Sequence, residues 1–437
     1  MPTEAQKDAH AKYRKKAVKQ VNVPFFPKDQ QIYEFVSSQD NKAGYIKGLI
    51  ERDMRESGAY LVEAAPPTPD VPCVVVSDAI RGVSLFTGAG GMDCGFHSAG
   101  VNTVFANEID QDAAATFAAN PRYLNAEAMH VGDIEAFMSE IQSLADIDVV
   151  FGGPPCQGFS VAGKMNPDDE RSQLVWSFMR VVESLKPRLF VMENVKALGV
   201  LAKWKNVREG LAAKARELGY AVYTTVLTAS DFGVPQARER FFLIGVKGAD
   251  EAALAETVAA KLEELKRDAP TVREAFASIP AYGEEGNRTG SVAELRLAKH
   301  PVLRSSPYSG SLLFNGRGRP VDLDCVAKTL PAQMGGNHTP IIDQALLDDP
   351  GADSWVADYH AGLLSGRTDP DTAQGGIPSH LRRMTVREAA VLQGFPSDFV
   401  FKGQTGKQYR QIGNAVPCGL AEAVAIASIH AMRELAG

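Results

Sequence analysis

The stretch Val83-Ser84-Leu85-Phe86-Thr87-Gly88-Ala89-Gly90-Gly91 decides how the chain is read. Val83 to Phe86 is a short apolar run of strand type, the glycines behind it permit a tight turn, and a helical pattern begins at about Met92. Strand, glycine turn and helix bring backbone close to a ligand at the carboxyl edge of a first strand, where open α/β sheets bind cofactors. Working outward, further apolar runs at Thr103 to Ala106, Val149 to Phe151, Leu189 to Met192, Ala221 to Leu227 and Phe241 to Val246 alternate with helical patterns. That alternation predicts βαβ units and a mostly parallel sheet covered on both faces.

Past residue 270 the rhythm is lost. Residues 270–380 are rich in Gly, Pro and polar side chains, as in Asn315-Gly316-Arg317-Gly318-Arg319-Pro320, and read as a second, irregular domain. Residues 381–437 are expected to return to the sheet domain of 81–269, with Leu420 to Leu435 back at helical spacing and packing on it. Upstream, Ala64-Ala65-Pro66-Pro67-Thr68-Pro69-Asp70-Val71-Pro72 can neither continue a helix nor sit inside a sheet, so 63–80 reads as an extended linker behind a small unit of 1–62.

The 437 residues suffice for two or three domains. No run approaches the roughly 20 consecutive apolar residues of a membrane span, so a cytoplasmic protein with no membrane partner is expected. The five cysteines are scattered and show no zinc or disulfide spacing, so thiols without metal are expected. A net charge of −7 disfavours a uniformly basic nucleic-acid binder but permits local patches. One such patch is the basic run Lys7, Lys12, Arg14, Lys15, Lys16 and Lys19.

Chemistry concentrates at strand ends. Glu108, in Asn107-Glu108-Ile109-Asp110 after the second strand, stands where a carboxylate can hold ribose hydroxyls, with a helix cap as the plainer alternative. In Phe151-Gly152-Gly153-Pro154-Pro155-Cys156-Gln157-Gly158-Phe159-Ser160 two prolines fix the loop and present a thiol beside glycines. Met192-Glu193-Asn194-Val195 ends another strand in a carboxylate. In Gln236-Ala237-Arg238-Glu239-Arg240, period-two spacing sends both guanidiniums to one side, an ion pair with Glu239 being the simpler use for either.

In this order, VSLFTGAGGMDCGF, NEID, GGPPCQGFS, MENV, QARERFFLIGV, RRMTVREAAVLQGFP and QIGNAVP resemble the motifs of the DNA cytosine C5 methyltransferase family, from about Val83 to the C-terminus. The resemblance implies a Rossmann-like S-adenosylmethionine-dependent sheet domain, with 270–380 as the target-recognition domain. It implies Cys156 as the nucleophile that adds to cytosine C6 and makes C5 enamine-like. Glu193 would hydrogen-bond N3 and the amino group, Arg240 would bind O2, and Arg238 would support the catalytic loop or a phosphate. Around the cofactor it implies Phe86 against the adenine, Gly88, Gly90 and Gly91 in the turn, Glu108 on the ribose, and Asp133 with Ile134 at the adenine edge. Pro155, Leu174, Asn414 and Val416 would complete that pocket. Ser84 stands where many members carry Asp, which removes one polar contact near the methionine amine. Gln157 and Ser160, on a loop from Cys156 to Arg171 that closes over DNA, would touch the duplex. Arg304, Arg317 and Arg319 would read guanine edges or hold phosphates, and Thr329-Leu330 would support the flipped nucleotide. A restriction–modification enzyme with a cognate endonuclease, or an orphan or phage enzyme, is expected. A tRNA methyltransferase and a non-catalytic regulator are the other readings.

At the N-terminus, Val21, Val23 and Phe25 alternate with Gln20 and Asn22, and two helical segments follow at 28–38 and 43–55. This β-α-α pattern resembles the ribbon-helix-helix family, which implies a homodimer through residues 15–60 with Gln20 and Asn22 facing bases.

Overall fold

The computed structural model describes residues 80–155, 174–369 and 376–436. The expected N-terminal ribbon-helix-helix unit, with Gln20 and Asn22, lies outside the described residues, as do Cys156, Gln157, Ser160 and the rest of the expected catalytic loop.

Five strands run parallel: β1 (Ile80–Leu85), β2 (Val101–Glu108), β3 (Met129–Val131), β4 (Val149–Gly152) and β5 (Leu189–Val195). β6 (Tyr220–Thr228), the two-residue β7 (Gln236–Ala237) and β8 (Glu239–Lys247) follow. The main sheet runs β3-β2-β1-β4-β5-β8-β6, with β8 antiparallel to both of its neighbours. The sheet is therefore mixed, and the apolar run 241–246 is its one reversed strand. β1 begins at Ile80, the last residue of the expected linker.

Central strands feed two cores at once because successive side chains point to opposite faces. Val149, Phe151, Leu189, Val191, Phe242 and Ile244 join one buried cluster, whereas Val150, Phe190, Met192, Phe241 and Leu243 join the other. Helices α1 (Gly91–Ser98) and α2 (Gln111–Ala118) follow the first two strands. On one face α1 is joined by α5 (Glu251–Glu264) and α9 (Cys418–Leu435), which supply Phe96, Leu254, Val258, Leu420 and Val424. On the other, α3 (Leu174–Leu185) and α4 (Lys205–Glu217) supply Val175, Phe178, Val182 and Leu211. The C-terminal segment returns to the sheet as expected. By length and apolarity the stretch Thr405–Leu435 would pass for a membrane span, yet 78% of its most apolar window is buried inside the fold. A β-carbon on Gly95 would fall 2.4 Å from the Glu422 nitrogen, so glycine there sets how closely α1 and α9 approach.

Residues 270–380 belong to the same compact unit as the sheet. Their own small core joins the hairpin β9 (Leu297–Val302) and β10 (Leu312–Phe314) to α6 (Trp355–Leu364), through Leu297, Phe314, Ile341, Val356 and Tyr359. Its flanks are tied elsewhere. β11 (Ala327–Lys328) pairs with β7, and β12 (Ile341–Asp343) pairs with β13 (Leu381–Arg383). Val272, Phe276, Leu330 and Met334 share a core with α7 (Val386–Leu392) and α8 (Thr405–Asn414).

Candidate active site

A cleft of about 1680 Å³ opens along the carboxyl ends of β1, β2, β4 and β5 and is closed on its other side by residues 306–340 and 407–416. It gathers Phe86, Gly88, Glu108, Asp133, Ile134, Pro155, Leu174, Glu193, Arg238, Arg240, Arg317, Arg319, Thr329, Asn414 and Val416 from the residues expected at the site. Gly90, Gly91 and Arg304 do not line it.

The glycine turn is wound through alternating left-handed positions, Phe86 at φ 57°, Gly88 at 57° and Gly90 at 88°. Glycine adopts this conformation freely, but Phe86 is held there against its steric preference, a strain of the kind that gathers at ligand sites. Gly91 serves closeness: a β-carbon would fall 2.5 Å from the Val416 carbonyl oxygen, so its absence lets the C-terminal segment seal the cleft. Gly90 likewise packs against Leu124 and Phe117, so both glycines shape the turn from behind.

Glu108 at the tip of β2 accepts from the amides of Gly88, at 2.8 Å, and Asp110, at 2.7 Å. It thereby fixes the turn to the second strand, and it keeps lone pairs for a ligand because a carboxylate has about four acceptor sites. Burial raises its pKa, with the amides opposing. Asp110, not Glu108, caps α2, accepting from Asp112 and Ala113. Asp133 spends one oxygen capping Glu135 at 3.0 Å and is otherwise exposed, whereas Ile134 is buried. Ile109, 68% exposed on the cleft, is an apolar surface beside Glu108 that the sequence reading passed over. Its signal was an apolar residue between two acids at a strand end.

At the other end, Glu193 pairs with Arg240, Oε1 to Nε 2.8 Å, both side chains being nearly buried. Burial raises the Glu193 pKa, and Arg240 and Arg238 pull it back in part. Arg240 Nη1 donates to the Glu239 carbonyl at 2.8 Å. The two glycines before the prolines are forced by closeness. A β-carbon on Gly152 would meet the Leu85 carbonyl oxygen at 2.1 Å, and one on Gly153 would meet Glu193 Oε2 at 2.7 Å. Asn194 then donates to the Pro154 carbonyl at 3.1 Å, tying the end of β5 to the loop that leads into Cys156.

Arg238 has a different use from Arg240. It is 1% exposed and donates to the carbonyls of Leu330, at 3.0 Å, and Gly413, at 2.7 Å. Geometrically it is a strut between β7–β8, residues 327–330 and α8. Glu239 itself pairs with Lys196 at 2.6 Å. Thr329 donates to the Ala237 carbonyl at 3.0 Å, on the same seam. Arg319 donates to the carbonyls of Gly310 and Arg317 and is partly buried, whereas Arg317 is exposed on the cleft and Arg304 is exposed away from it.

A mixed seven-stranded sheet with a ligand cleft at its carboxyl edge defines an α/β methyltransferase fold. The structure of the methyltransferase EhMeth from Entamoeba histolytica shares it, with a TM-score of 0.53 and 15% identity, covering 80% of this chain and 98% of that one. The sequence pattern of the C-5 cytosine-specific DNA methylase family matches residues 80–430. The chain is 33% identical to the Type II methyltransferase M1.HphI of Haemophilus parahaemolyticus, over 78% of this chain and 85% of that protein. It is 34% identical to the Type II methyltransferase M.XorII of Xanthomonas oryzae pv. oryzae, over 81% and 85%. The chain belongs to the C-5 cytosine-specific DNA methylase family, and it is a DNA (cytosine-5)-methyltransferase that acts on DNA.

Proposed function

We propose that the cleft holds S-adenosylmethionine against β1, β2 and β4 and a flipped cytosine against β5 and β8. The observation that carries this reading is the Glu193–Arg240 pair standing beside the Pro154–Pro155 loop in the same cleft as Glu108 and Asp133. The residues present fit that cofactor. Glu108 and Asp133 offer acceptors to a ribose and an adenine edge, and Phe86, Ile109, Ile134 and Leu174 offer apolar surface. Bound there, the cofactor supplies an electrophilic methyl group.

Cytosine C5 is too weak a nucleophile to take that methyl unaided. Cys156 adds through its thiolate to C6, and Glu193, protonated when the base is engaged, donates at N3 as charge develops. Desolvation favours that neutral acid form. Arg240, held by Glu193 and the Glu239 carbonyl, keeps Nη2 for the cytosine O2. Once C5 has taken the methyl group, loss of the C5 proton to water, departure of the thiolate from C6 and return of the N3 proton to Glu193 restore the aromatic ring. Because C6 is hidden in the duplex, the nucleotide leaves the stack at a cost of a few kcal/mol. Residues 270–380, with Arg317 on the cleft, recognise the target, and Arg238 acts by positioning. The N-terminal residues 15–60 form a dimerising DNA-binding module, the chain works in the cytoplasm, and a cognate restriction endonuclease is its biological partner.

Trapping on duplexes containing 5-fluorocytosine tests the mechanism, since fluorine at C5 cannot leave as a proton does. A covalent adduct is expected only with S-adenosylmethionine and Cys156 present. Equal adduct with Cys156→Ala would overturn the assignment. Bisulfite sequencing of DNA from expressing cells reads activity and target together. Deleting residues 1–70 should leave an active monomer, and a persisting dimer mass would remove the N-terminal proposal.

A further inference from the structure

Two polar side chains on the cleft floor, Ser84 of β1 and Asp93 of α1, have no hydrogen-bond partner among the described residues. Asp93 is 1% exposed and both of its carboxylate oxygens are without partners; the Ser84 hydroxyl is likewise buried and unpartnered. Among the described residues the buried acids Glu193 and Glu388 are matched by Arg240 and Arg382, and Asp343 keeps one partnered oxygen, whereas neither oxygen of Asp93 is met. Asp93 instead sits among Met92, Cys94 and Phe96, all buried, where an apolar side chain would pack at no electrostatic cost. Burial pushes its carboxyl up to about 7, and the Ser84 hydroxyl, close by but not in hydrogen-bonding geometry, and the Asp93 amide offset this only in part. Its place in the first turn of α1 favours an anion only weakly beside the penalty of burying one unpaired. Among the described residues no cation answers this carboxylate, and it lines the cleft.

We infer that Asp93, with the Ser84 hydroxyl beside it, is the anionic seat for the α-ammonium group at the methionine end of the cofactor. The inference rests on the S-adenosylmethionine reading of the cleft. That cofactor carries two cations. The sulfonium has no N–H to give, whereas the ammonium brings three donors, enough for the orphaned carboxylate oxygens and the hydroxyl. Ser84 lies within β1, opposite Ala106 and Phe151 in register, below the turn whose Gly88 amide binds Glu108. The seat is thus separate from the ribose acceptor. A strand-end serine together with a helix acid does the work that the sequence alone left without a residue.

Calorimetric binding by the full chain tests this with two compounds that both lack the sulfonium. S-adenosylhomocysteine keeps the ammonium, and 5′-methylthioadenosine keeps only the nucleoside end. If the wild-type chain binds neither, the cofactor reading itself fails. Given binding, Asp93→Asn should weaken S-adenosylhomocysteine by roughly 10- to 100-fold, as expected for a lost charge-assisted hydrogen bond, and leave methylthioadenosine within about twofold. Unchanged S-adenosylhomocysteine affinity, or equal loss for both compounds by a folded variant, overturns the inference. The wild-type chain gives a reading that needs no variant. Other titratable groups nearby are Cys94, whose pKa is raised by its hydrogen bond to Cys418 and by burial, Cys418 itself, and Glu108. Asp93 gains its charge as pH rises through about 7, so S-adenosylhomocysteine should bind several-fold tighter at pH 8 than at pH 6 while methylthioadenosine, which still reports on Glu108, does not. A level profile for S-adenosylhomocysteine overturns it.

Discussion

Glu193 and Arg240 meet at 2.8 Å across two antiparallel strands, a nearly buried pair in the cleft at the carboxyl edge of the sheet. The pair sets the polarity of the base site: Arg240 lowers the cost of a charged Glu193, and burial raises it. Glu193→Gln keeps the shape and removes the transferable proton. Its methyl-transfer rate should fall by roughly 10²- to 10⁴-fold, with cofactor affinity unchanged in equilibrium binding. In the wild type the acid form is lost as pH rises through the raised pKa. The alkaline limb of the kcat profile should therefore belong to Glu193, and it should vanish in the Gln variant.

Gly153→Ala places a methyl where Glu193 Oε2 now lies, 2.7 Å from the new carbon. Both the carboxylate and the loop leading into Cys156 must shift. Adduct formation with 5-fluorocytosine should slow by at least about tenfold, because sub-ångström misplacement of reacting groups is costly. The melting temperature should drop only modestly.

Asn194→Ala removes the 3.1 Å donor to the Pro154 carbonyl. The carbonyl is left buried and unsatisfied, a loss of about 1–3 kcal/mol in denaturant unfolding. A change of kcat with unaltered cofactor affinity would locate the effect on the thiol-bearing loop rather than on the glycine turn.

Arg238→Lys tests the strut. A lysine cannot span the carbonyls of Leu330 and Gly413 with the fixed fork of a guanidinium. Unfolding free energy should fall by about 2–4 kcal/mol, the cost of two poorly satisfied buried groups. An unchanged stability with lost DNA affinity would instead place Arg238 on a phosphate.

Arg317→Ala should weaken DNA binding and reduce the salt slope of log K by about one if the side chain holds a phosphate. If it reads a base, discrimination at one position should relax by roughly 1–3 kcal/mol with the slope kept. Arg319→Ala should cost stability as well, since that guanidinium already bonds two backbone carbonyls.

Much of this was legible in the sequence for a local reason. Strands β1, β4 and β5 announce themselves because continuous apolar runs have few other uses; GGPP and ENV sit at the ends of β4 and β5, and QARER leads into β8, where the cleft is built. Three things were not legible. Apolar character carries no direction, so the run 241–246 could not show that it is antiparallel. β3 has only three residues, Met129 to Val131, none fully buried, and so made no run. Finally, the different fates of Arg238 and Arg240 are decided by carbonyls distant in sequence, at Leu330 and Gly413, which spacing cannot express. Asp93 did leave a trace, as an acid flanked by buried residues in the first turn after a glycine loop, but only the fold shows that nothing answers its charge.

The reversed strand β8 has a kinetic consequence. Arg240 is in register with Val195 on one side and Leu227 on the other, so it is laced into hydrogen-bond ladders on both flanks. Protection of that kind yields only when much of the sheet opens, and amide exchange there should be among the slowest in the chain. If the proposed base site lies here, that end of the cleft offers a pre-set frame to which the extruded nucleotide conforms.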